Sequence, residues 1–216
     1  MDYKEKMMNK ESMLIKKLFF ALLVRPLVLV IAGVNLKGKE NLPTNGPAVL
    51  IANHNSHLDT MVMMSLFSLK TLEKVRPIGA EDYFCNTPLK KWLSKKLIDI
   101  IPLKRRPTKA DGHPFSEIYQ ALENNQIVLL FPEGSRGDPE VMKPFKTGIA
   151  HIAEAYPDVP VIPLSIHGAG KALPKGEALF VPFIIDVHVG EAVYYGGEGH
   201  LEYVEMLQKR VEGLEE

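Results

Sequence analysis

A chain of 216 residues, of which 46% are hydrophobic and 24% charged, is long enough to form one domain with a sizeable core. Its 26 basic and 26 acidic side chains cancel, so the net charge is zero, although the charge is unevenly spread along the chain. The single cysteine, Cys85, excludes an intrachain disulfide framework and favours a reducing compartment.

The N-terminal part of the chain contains an apolar segment, Leu18–Val34, which Arg25 and Pro26 interrupt. No small-residue cleavage site follows a short apolar core, so we expect no removable signal peptide. A helix over this segment would be about 25 Å long, less than the roughly 30 Å of a bilayer's hydrocarbon core, and proline breaks helices. We therefore predict two short apolar helices in one leaflet, with Lys16, Lys17 and Arg25 among the headgroups. A hairpin buried against the rest of the chain is the alternative.

Beyond this segment, strand-like and helix-like stretches alternate. The predicted strands are Ala48–Ala52, Val75–Gly79, Asp99–Leu103, Ile127–Phe131, Val161–Ile166 and Ile184–Val189. The predicted helices are Leu58–Leu69, Leu89–Lys96, Phe115–Glu123, Ile149–Ala155 and Leu201–Val211. The strands are short, β-branched and apolar on both faces, as strands covered by helices must be. The pattern predicts an α/β fold with a mostly parallel central sheet flanked by helices.

Two units follow from this pattern. Residues 1–36 are predicted to form an N-terminal membrane-associated helical segment, and residues 37–216 a larger domain. The stretch Asn35–Gly46 is rich in Gly, Asn, Pro and Lys and is predicted to be the hinge between them.

Positive charge is concentrated between residues 86 and 110, where the only acid is Asp99. The basic residues there are Lys90, Lys91, Lys95, Lys96, Lys104, Arg105, Arg106 and Lys109. Such a block in a neutral chain suggests phosphate or an anionic membrane surface as a partner, and a solvated lysine face is the alternative.

The stretch NHNSHLD, residues 53–59, lies where the first predicted strand ends and the first helix of the alternating region begins. This is the usual position of a ligand crevice in an α/β sheet. His54 and Asp59 are five residues apart, about 140° around a regular helix, so they meet only if His54 precedes the first helical turn. Asp59 would then fix the imidazole tautomer and stabilise its cation while His54 accepts a proton.

Two other roles suit the same residues. Ser56 and Asp59 match the S-x-x-D pattern of a capping box, although that role leaves the histidines unexplained. His54, His57 and Asp59 form H-x-x-H-x-D, which suits zinc, but no further Cys/His cluster follows at ligand-like spacing. Other histidines stand alone in the sequence: His113, His151, His167 and His188. The stretch by itself leaves a cap and a catalytic pair equally open, and one carboxylate can serve both.

A second polar stretch, FPEGSR, begins at the end of the predicted strand Ile127–Phe131. Glu133 stands where a nucleophile elbow, G-x-S-x-G, requires glycine, so Ser135 does not fit a serine hydrolase. Gly134 permits a sharp turn, Glu133 offers acceptors to hydroxyl groups, and Arg136 offers a fork for phosphate or carboxylate. A Glu133–Arg136 salt bridge at a strand end is the structural alternative.

Further cations follow these strand ends. The stretch IIPLKR runs from a predicted strand into Lys104 and Arg105, and KPFKTG places Lys143 and Lys146 after FPEGSR. Because ligands bind outside the carboxyl ends of strands in such sheets, the three strand ends are expected to converge. A His/Asp pair, a Glu/Arg pair and these cations predict a site for a phosphorylated, hydroxyl-bearing substrate.

Four blocks in this order resemble the glycerolipid acyltransferase family, and most closely its bacterial 1-acylglycerol-3-phosphate acyltransferases. NHNSHLD is similar to the family's H-x-x-x-x-D block, with His54 and Asp59 in its fixed positions. IIPLKR is similar to the second block, whose arginine falls on Arg105, and FPEGSR matches the third. VPVIPL is similar to the fourth, with Pro163 as its proline.

The resemblance implies transfer of a fatty acyl group from acyl-CoA or acyl carrier protein to the sn-2 hydroxyl of 1-acyl-sn-glycerol-3-phosphate, giving phosphatidic acid. It implies His54 as general base, Asp59 as its orienting partner and Arg105 on the acceptor's phosphate. The implied substrate-binding residues are Lys104, Arg105, Glu133, Gly134, Arg136 and Lys146. It implies no metal, no cofactor and no nucleic-acid partner, and a peripheral or monotopic place on the cytoplasmic face of the cell membrane.

Some alternatives stay open beside this resemblance. Lys104 stands where the family often has an acidic or polar residue, and Arg106 follows, so three neighbouring cations compete for the phosphate. Another lysolipid, such as a lyso-aminolipid, is an alternative acceptor. A thioesterase that uses water, and a non-catalytic lipid-binding protein of the same fold, are alternative functions.

Overall fold

The computed structural model describes residues 3–105, 108, 112–137, 141–172 and 183–214. The strands found in these residues are β1 (Val34–Lys37), β2 (Ala48–Ala52), β3 (Val75–Ala80), β4 (Ile101–Leu103), β5 (Ile127–Leu130), β6 (Val161–His167) and β7 (Ile185–Val189). The α-helices are α1 (Tyr3–Phe19), α2 (Leu58–Ser65), α3 (Glu81–Phe84), α4 (Pro88–Leu93), α5 (Ser116–Glu123), α6 (Gly148–Ala155), α7 (Ala169–Ala172) and α8 (His200–Glu212). Wider, π-type turns cover Phe20–Val24, Pro26–Gly33 and Ser94–Ile98, and 3₁₀ turns cover Lys39–Asn41 and Thr71–Lys74.

The strands form one sheet in the order β1-β7-β6-β2-β5-β3-β4. Neighbouring strands are parallel except β6 and β7, so β1 and β7 run opposite to the other strands. Leu50 of β2 lies opposite Leu129 of β5 and Ile162 of β6 at the centre of the sheet. The predicted α/β fold, with a mostly parallel sheet flanked by helices, is confirmed.

Strand β2 forms the centre of the fold because every residue in it is buried. Side chains alternate between the two faces of a strand. Ala48, Leu50 and Ala52 therefore join one core, with α2 and the N-terminal segment. Val49 and Ile51 join a second core, with α5, α6 and α8. Burial on both faces explains why these strands appear as continuous apolar runs in the sequence.

The N-terminal segment differs from the two separate helices predicted for it. Residues 3–33 form one helical run, in which Pro26 begins a π-type stretch that continues to Gly33. Buried side chains recur every four residues along this run and belong to the first core: Phe20, Val24, Val28 and Ala32. Among the described residues, none of the helices combines the length and the apolar character needed to cross a bilayer.

The cations that were predicted to lie among lipid headgroups contact the domain instead. Lys16 is buried, and its Nζ donates to the carbonyl of Val75 at 2.7 Å. Burial lowers the pKa of this amine to about 8. Lys17 forms an ion pair, and Arg25 donates to the carbonyl of Phe67. These contacts follow from the helical run packing directly on the domain.

The predicted hinge begins with a strand. Val34–Lys37 forms β1, which pairs in parallel with β7. Val34 and Leu36 pack against the first core, while the Asn35 amide donates to the Asp186 carboxylate at 3.0 Å. The prediction missed this strand because its partner lies about 150 residues further along the chain.

Candidate active site

Loops that follow β2, β4 and β5 surround one cavity of about 670 Å³. Its wall includes six of the residues predicted to act in the site: His54, Lys104, Arg105, Gly134, Arg136 and Lys146. The three strand ends converge, as the sequence predicts, because the strands run parallel and end at one edge of the sheet.

His54 and Asp59 meet at the start of α2. His54 Nδ1 lies 2.8 Å from Asp59 Oδ2, and the same oxygen accepts the N–H groups of Asn55 and Ser56 at 2.7 and 2.8 Å. The helix begins at Leu58, so His54 lies in the preceding turn and Asp59 in the first helical turn. The Asp59 side chain is 1% exposed, whereas that of His54 is 18% exposed and lines the cavity.

These hydrogen bonds assign the tautomer of His54. A carboxylate oxygen that accepts two backbone N–H groups is an acceptor for the third contact too, so Nδ1 of His54 carries the proton. The opposite nitrogen, Nε2, is then the acceptor available to the cavity. The ring is also stacked on Phe131, with centroids 4.1 Å apart. Ser56 Oγ accepts the N–H of Leu58 at 3.2 Å, but the residue at the N-cap of α2 is His57, without a side-chain cap hydrogen bond, rather than the predicted Ser56.

Asn53 fixes the start of this loop. It is buried, and its side-chain amide both donates to and accepts from the backbone of Ile166, each at 2.8 Å. The Asn53 side chain thus continues the hydrogen bonding between β2 and β6 beyond their last paired residues, Ala52 and Leu164. The position of His54 is thereby tied to the centre of the sheet.

Glu133 occupies a different place from the substrate-binding position that the resemblance implies. It is 2% exposed and is absent from the cavity wall. Oε1 accepts the N–H of His54 at 2.7 Å, and Oε2 accepts the N–H of Lys143 at 3.0 Å. Burial raises the pKa of this carboxyl, and the two hydrogen bonds oppose the rise. The turn after β5 directs the Glu133 side chain into the protein. There it holds the main chain of two cavity residues, His54 and Lys143.

Gly134 forms the turn that directs Glu133 inward. Its φ of +72° favours glycine, and a Cβ at this position would lie 2.7 Å from Lys146 Nζ. The N–H of Gly134 donates to the Phe131 carbonyl at 3.0 Å, and that of Lys146 donates to the Pro132 carbonyl at 2.9 Å. The absence of a side chain thus lets Lys146 approach the cavity.

Cations line part of the cavity: Lys104, Arg105, Arg136, Lys143 and Lys146. Arg105 Nη1 lies 3.0 Å from Asp82 Oδ2, and both side chains are more than half exposed. An exposed pair of this kind contributes little stability, so Arg105 can exchange Asp82 for a substrate anion at small cost. The guanidinium of Arg136 lies 5.8 Å from the centre of the Tyr83 ring. Arg106, the third neighbouring cation, lies outside the described residues.

Tyr83 is a cavity residue that the sequence did not mark. Its hydroxyl lies 3.1 Å from Nε2 of His57, and the two rings are stacked with centroids 5.5 Å apart. Burial, and then the charge of Arg136, lower the pKa of His57. The Nε2 atom of His57 thus lies beside the Tyr83 hydroxyl, whereas Nδ1 of His54 lies beside Asp59. No local pattern marks Tyr83, because it lies 26 residues from His57.

Much of the remaining cavity wall is apolar, and no sequence motif points to these side chains. It includes Met61, Ile78, Phe115, Ile118, Ile149 and Ile152. In the sequence these residues resemble ordinary core positions of strands and helices. A cavity with cations in one part and apolar side chains in another suits an amphiphile that carries an anionic group.

Residues 33–167 match the family model described as Acyltransferase. The chain belongs to the Acyltransferase family. The matched region contains all four blocks noted in the sequence, together with the cavity residues on β3, β4, β5 and α6. The resemblance found in the sequence is confirmed.

Relatives of this Acyltransferase-family chain come from plants, bacteria and animals. It is 31% identical over 143 residues to the chloroplastic 1-acyl-sn-glycerol-3-phosphate acyltransferase BAT2 of Brassica napus, a match covering 66% of this chain and 39% of that protein. It is 28% identical over 182 residues to the 1-acyl-sn-glycerol-3-phosphate acyltransferase of Pseudomonas aeruginosa, covering 83% and 67%. The chain spans less than two fifths of the length of its Brassica and Arabidopsis relatives, at 39% and 38%.

A solved structure shares the fold. The crystal structure of the 1-acyl-sn-glycerophosphate acyltransferase PlsC from Thermotoga maritima matches with a TM-score of 0.69 and 23% identity. The match covers 99% of this chain and 82% of that one. The shared architecture therefore includes the N-terminal helical run as well as the sheet.

Proposed function

We propose that this Acyltransferase-family chain transfers a fatty acyl group from an acyl thioester to the sn-2 hydroxyl of 1-acyl-sn-glycerol-3-phosphate, giving phosphatidic acid. The donor is acyl-CoA or acyl carrier protein. One observation carries the proposal: a single cavity combines a His–Asp pair, several cations and an apolar wall. The names of the relatives support the same reaction.

In this reaction His54 is the general base. Nε2 removes the proton of the acceptor hydroxyl as its oxygen attacks the thioester carbonyl, which forms the ester bond and breaks the carbon–sulfur bond. The thiolate then takes the proton from the imidazolium. Asp59 stabilises that cation through the 2.8 Å contact with Nδ1. Glu133 acts as a positioning residue, because it holds the N–H of His54 rather than the substrate.

The cations of the cavity bind the acceptor's phosphate. Arg105 is the first choice, because its present partner is an exposed carboxylate and its planar fork fits phosphate oxygens. Lys104, Arg136 and Lys146 supply further charge from the same wall. The apolar part of the cavity holds acyl chain, where burial of methylene groups adds affinity.

The activity test is product analysis with the full chain. Acyl-CoA and acyl carrier protein are offered separately, each with lysophosphatidate, with other lysolipids or with no acceptor, and lipids are measured by mass spectrometry. We expect phosphatidic acid to form only with lysophosphatidate and to disappear in His54→Ala. Free fatty acid that forms regardless of lysolipid would indicate a thioesterase, and a different phospholipid another acceptor. A folded chain that makes none of these products would refute an enzymatic role.

The same proposal places the chain on the cytoplasmic face of the membrane, peripheral or monotopic. The N-terminal helical run has exposed apolar side chains opposite its buried ones: Leu14, Leu18, Leu22, Leu23, Leu29 and Val30. Leu22 is 74% exposed and Val30 80%. Exposed apolar side chains grouped on one helix indicate an interaction surface. A membrane surface is the partner that suits this helix, because the proposed substrate is a membrane lipid.

Changing this face tests the membrane role without removing buried residues. Phe20 and Val24 belong to the core, so truncation of the segment would disturb the fold. We expect Leu22→Glu combined with Val30→Glu to release the chain from vesicles that contain anionic lipid, measured by co-sedimentation. Leu201→Glu is the matched control, because Leu201 is a 70% exposed leucine on α8. Undiminished sedimentation of the double variant would assign membrane binding to the basic block of residues 86–110 instead.

A further inference from the structure

A cluster of metal-ligating side chains lies outside the cavity, where α6 meets α8. His151 and Glu154 are three residues apart on α6 and so share one side of the helix. His200 is the first residue of α8. The ligand atoms that these three side chains offer all lie within 4.8 Å of one another. His151 stands alone in the sequence, because His200 is 46 residues from Glu154 along the chain.

An ion pair explains only part of this arrangement. Glu154 Oε2 lies 3.0 Å from His200 Nε2, which accounts for two of the three groups. The ring of His151 lies beside that of His200, with centroids 4.2 Å apart and planes at 69°. Two imidazoles that were both protonated would repel each other at this distance. Two neutral imidazoles and a carboxylate, by contrast, are the ligand set of open zinc sites.

The electrostatic surroundings also favour a cation. Helix α6, with the sequence GIAHIAEA, contains no lysine or arginine. The basic residues in the last turn of α8, Lys209 and Arg210, are roughly 13 Å along the helix from His200. Near the cluster, neither helix therefore brings a lysine or arginine to Glu154, whose partner is the imidazole of His200.

We propose that His151, Glu154 and His200 bind a divalent transition-metal ion, for which Zn²⁺ is the best match. Zinc–nitrogen and zinc–oxygen bonds of about 2.0–2.2 Å place neighbouring ligand atoms about 3.4 Å apart. Rotation of the exposed His151 side chain closes the remaining gap, and water completes the coordination.

The bound ion would join α6, which lines the cavity, to α8, which packs in the second core. Ile149 and Ile152 of α6 line the cavity. Tyr203 and Leu207 of α8 lie in the second core. An ion at the junction therefore ties the cavity wall to the core. The site differs from the His54–Asp59 pair in its position, its residues and its role.

The test is titration of the metal-stripped full chain with ZnCl₂ by isothermal calorimetry, together with thermal unfolding with and without zinc. We expect saturable binding of one equivalent and a higher melting temperature with zinc, because an ion that binds only the folded state stabilises it. His151→Ala and His200→Ala should each weaken binding at least about tenfold and abolish the thermal shift. Glu154→Gln keeps the side chain's shape but removes its charge, so it should also weaken binding.

Two control variants separate this site from other histidines. His113→Ala removes an exposed histidine outside the cluster, and His57→Ala disrupts the H-x-x-H-x-D pattern. Both should bind zinc as the unchanged chain does. The proposal is overturned if the unchanged chain binds no zinc, if binding survives in His151→Ala and His200→Ala, or if His57→Ala alone removes it. Unfolding without zinc checks that each variant is folded.

Discussion

Replacing Glu133 with glutamine tests whether this side chain holds the main chain or the substrate. Its carboxylate oxygens accept the N–H groups of His54 and Lys143 at 2.7 and 3.0 Å. Glutamine has nearly the same shape but offers one oxygen and one NH₂ group. In Glu133→Gln, one of the two backbone N–H groups would therefore face another donor at a buried position.

The size of the effect follows from these contacts. A hydrogen bond to a charged group contributes about 1.5–3 kcal/mol, and a buried N–H left without a partner costs about 1–3 kcal/mol. Because Glu133 is 2% exposed, water does not replace the lost partner. Because these are two measures of one broken contact, we expect the free energy of unfolding to fall by about 2–3 kcal/mol, a large share of typical stability. If His54 loses its partner, a shift of about 1 Å in the imidazole would lower turnover on the order of 10²-fold.

Urea unfolding followed by circular dichroism, together with acyl-transfer kinetics at varied lysophosphatidate, measures both quantities. Glu117→Gln is the control, because Glu117 is an exposed glutamate in the first turn of α5. We expect Glu133→Gln to lower stability and kcat while the acceptor's KM changes little. A variant with unchanged stability and a raised KM for lysophosphatidate would refute this reasoning and restore direct contact between Glu133 and the acceptor.

Three further predictions concern His54, Arg105 and Lys16. His54→Ala should lower turnover at least about 10²-fold with an unchanged circular dichroism spectrum, and near-normal turnover would end the general-base assignment. Arg105→Ala should raise the acceptor's KM roughly ten- to a hundredfold, because a charge-assisted hydrogen bond to phosphate is worth about 1.5–3 kcal/mol. Lys104→Ala should raise this KM by a smaller factor. If Arg105→Ala impairs the reaction equally with lysophosphatidate and with monoacylglycerol, the role of Arg105 is structural. Burial lowers the pKa of Lys16 from 10.5 to about 8. Between pH 8 and pH 10.5 the unfolded chain therefore binds more protons than the folded chain, so stability rises with pH in this range. The stability of the unchanged chain relative to Lys16→Met should therefore rise by about 3 kcal/mol from pH 7 to pH 11 in urea unfolding. A flat difference would mean that Lys16 is solvated and that the N-terminal helix does not pack on the domain.

The features that the sequence predicted are those that local patterns determine. Strand β2 has the predicted bounds, Ala48–Ala52, because a short apolar run buried on both faces has few other structures open to it. The His54–Asp59 contact was predictable because the residues are five apart and a helix begins between them.

The features that the sequence missed depend on contacts between distant residues. Glu133 reaches the backbone of a residue 79 positions away, and Lys16 a carbonyl 59 positions away. The pairing of β1 with β7 and the approach of His200 to Glu154 are also long-range. A single sequence shows which side chains can form such contacts but not which partner the fold provides.

The orientation of His54 depends on this combination of local and distant contacts. Asp59, in the first turn of the following helix, holds its imidazole, whereas the segment after β5 holds its peptide at both ends. Glu133 accepts its N–H at 2.7 Å, and its carbonyl accepts the N–H of Gly137 at 2.8 Å. A Cβ on Gly137 would lie 2.7 Å from the carbonyl oxygen of Val141, so a side chain there would push this segment out of place. The residues NHNSHLD bring an imidazole and a carboxylate together, but the fixed orientation of His54 also needs contacts from outside this stretch. The fold adds the contacts between the segment after β5 and the His54 peptide. Because the proposed general base is already oriented, it would lose little entropy when the substrate binds. In the proposed reaction, the FPEGSR block would act through the position it imposes on His54, 79 residues earlier, as well as through the cation Arg136 that it brings to the cavity.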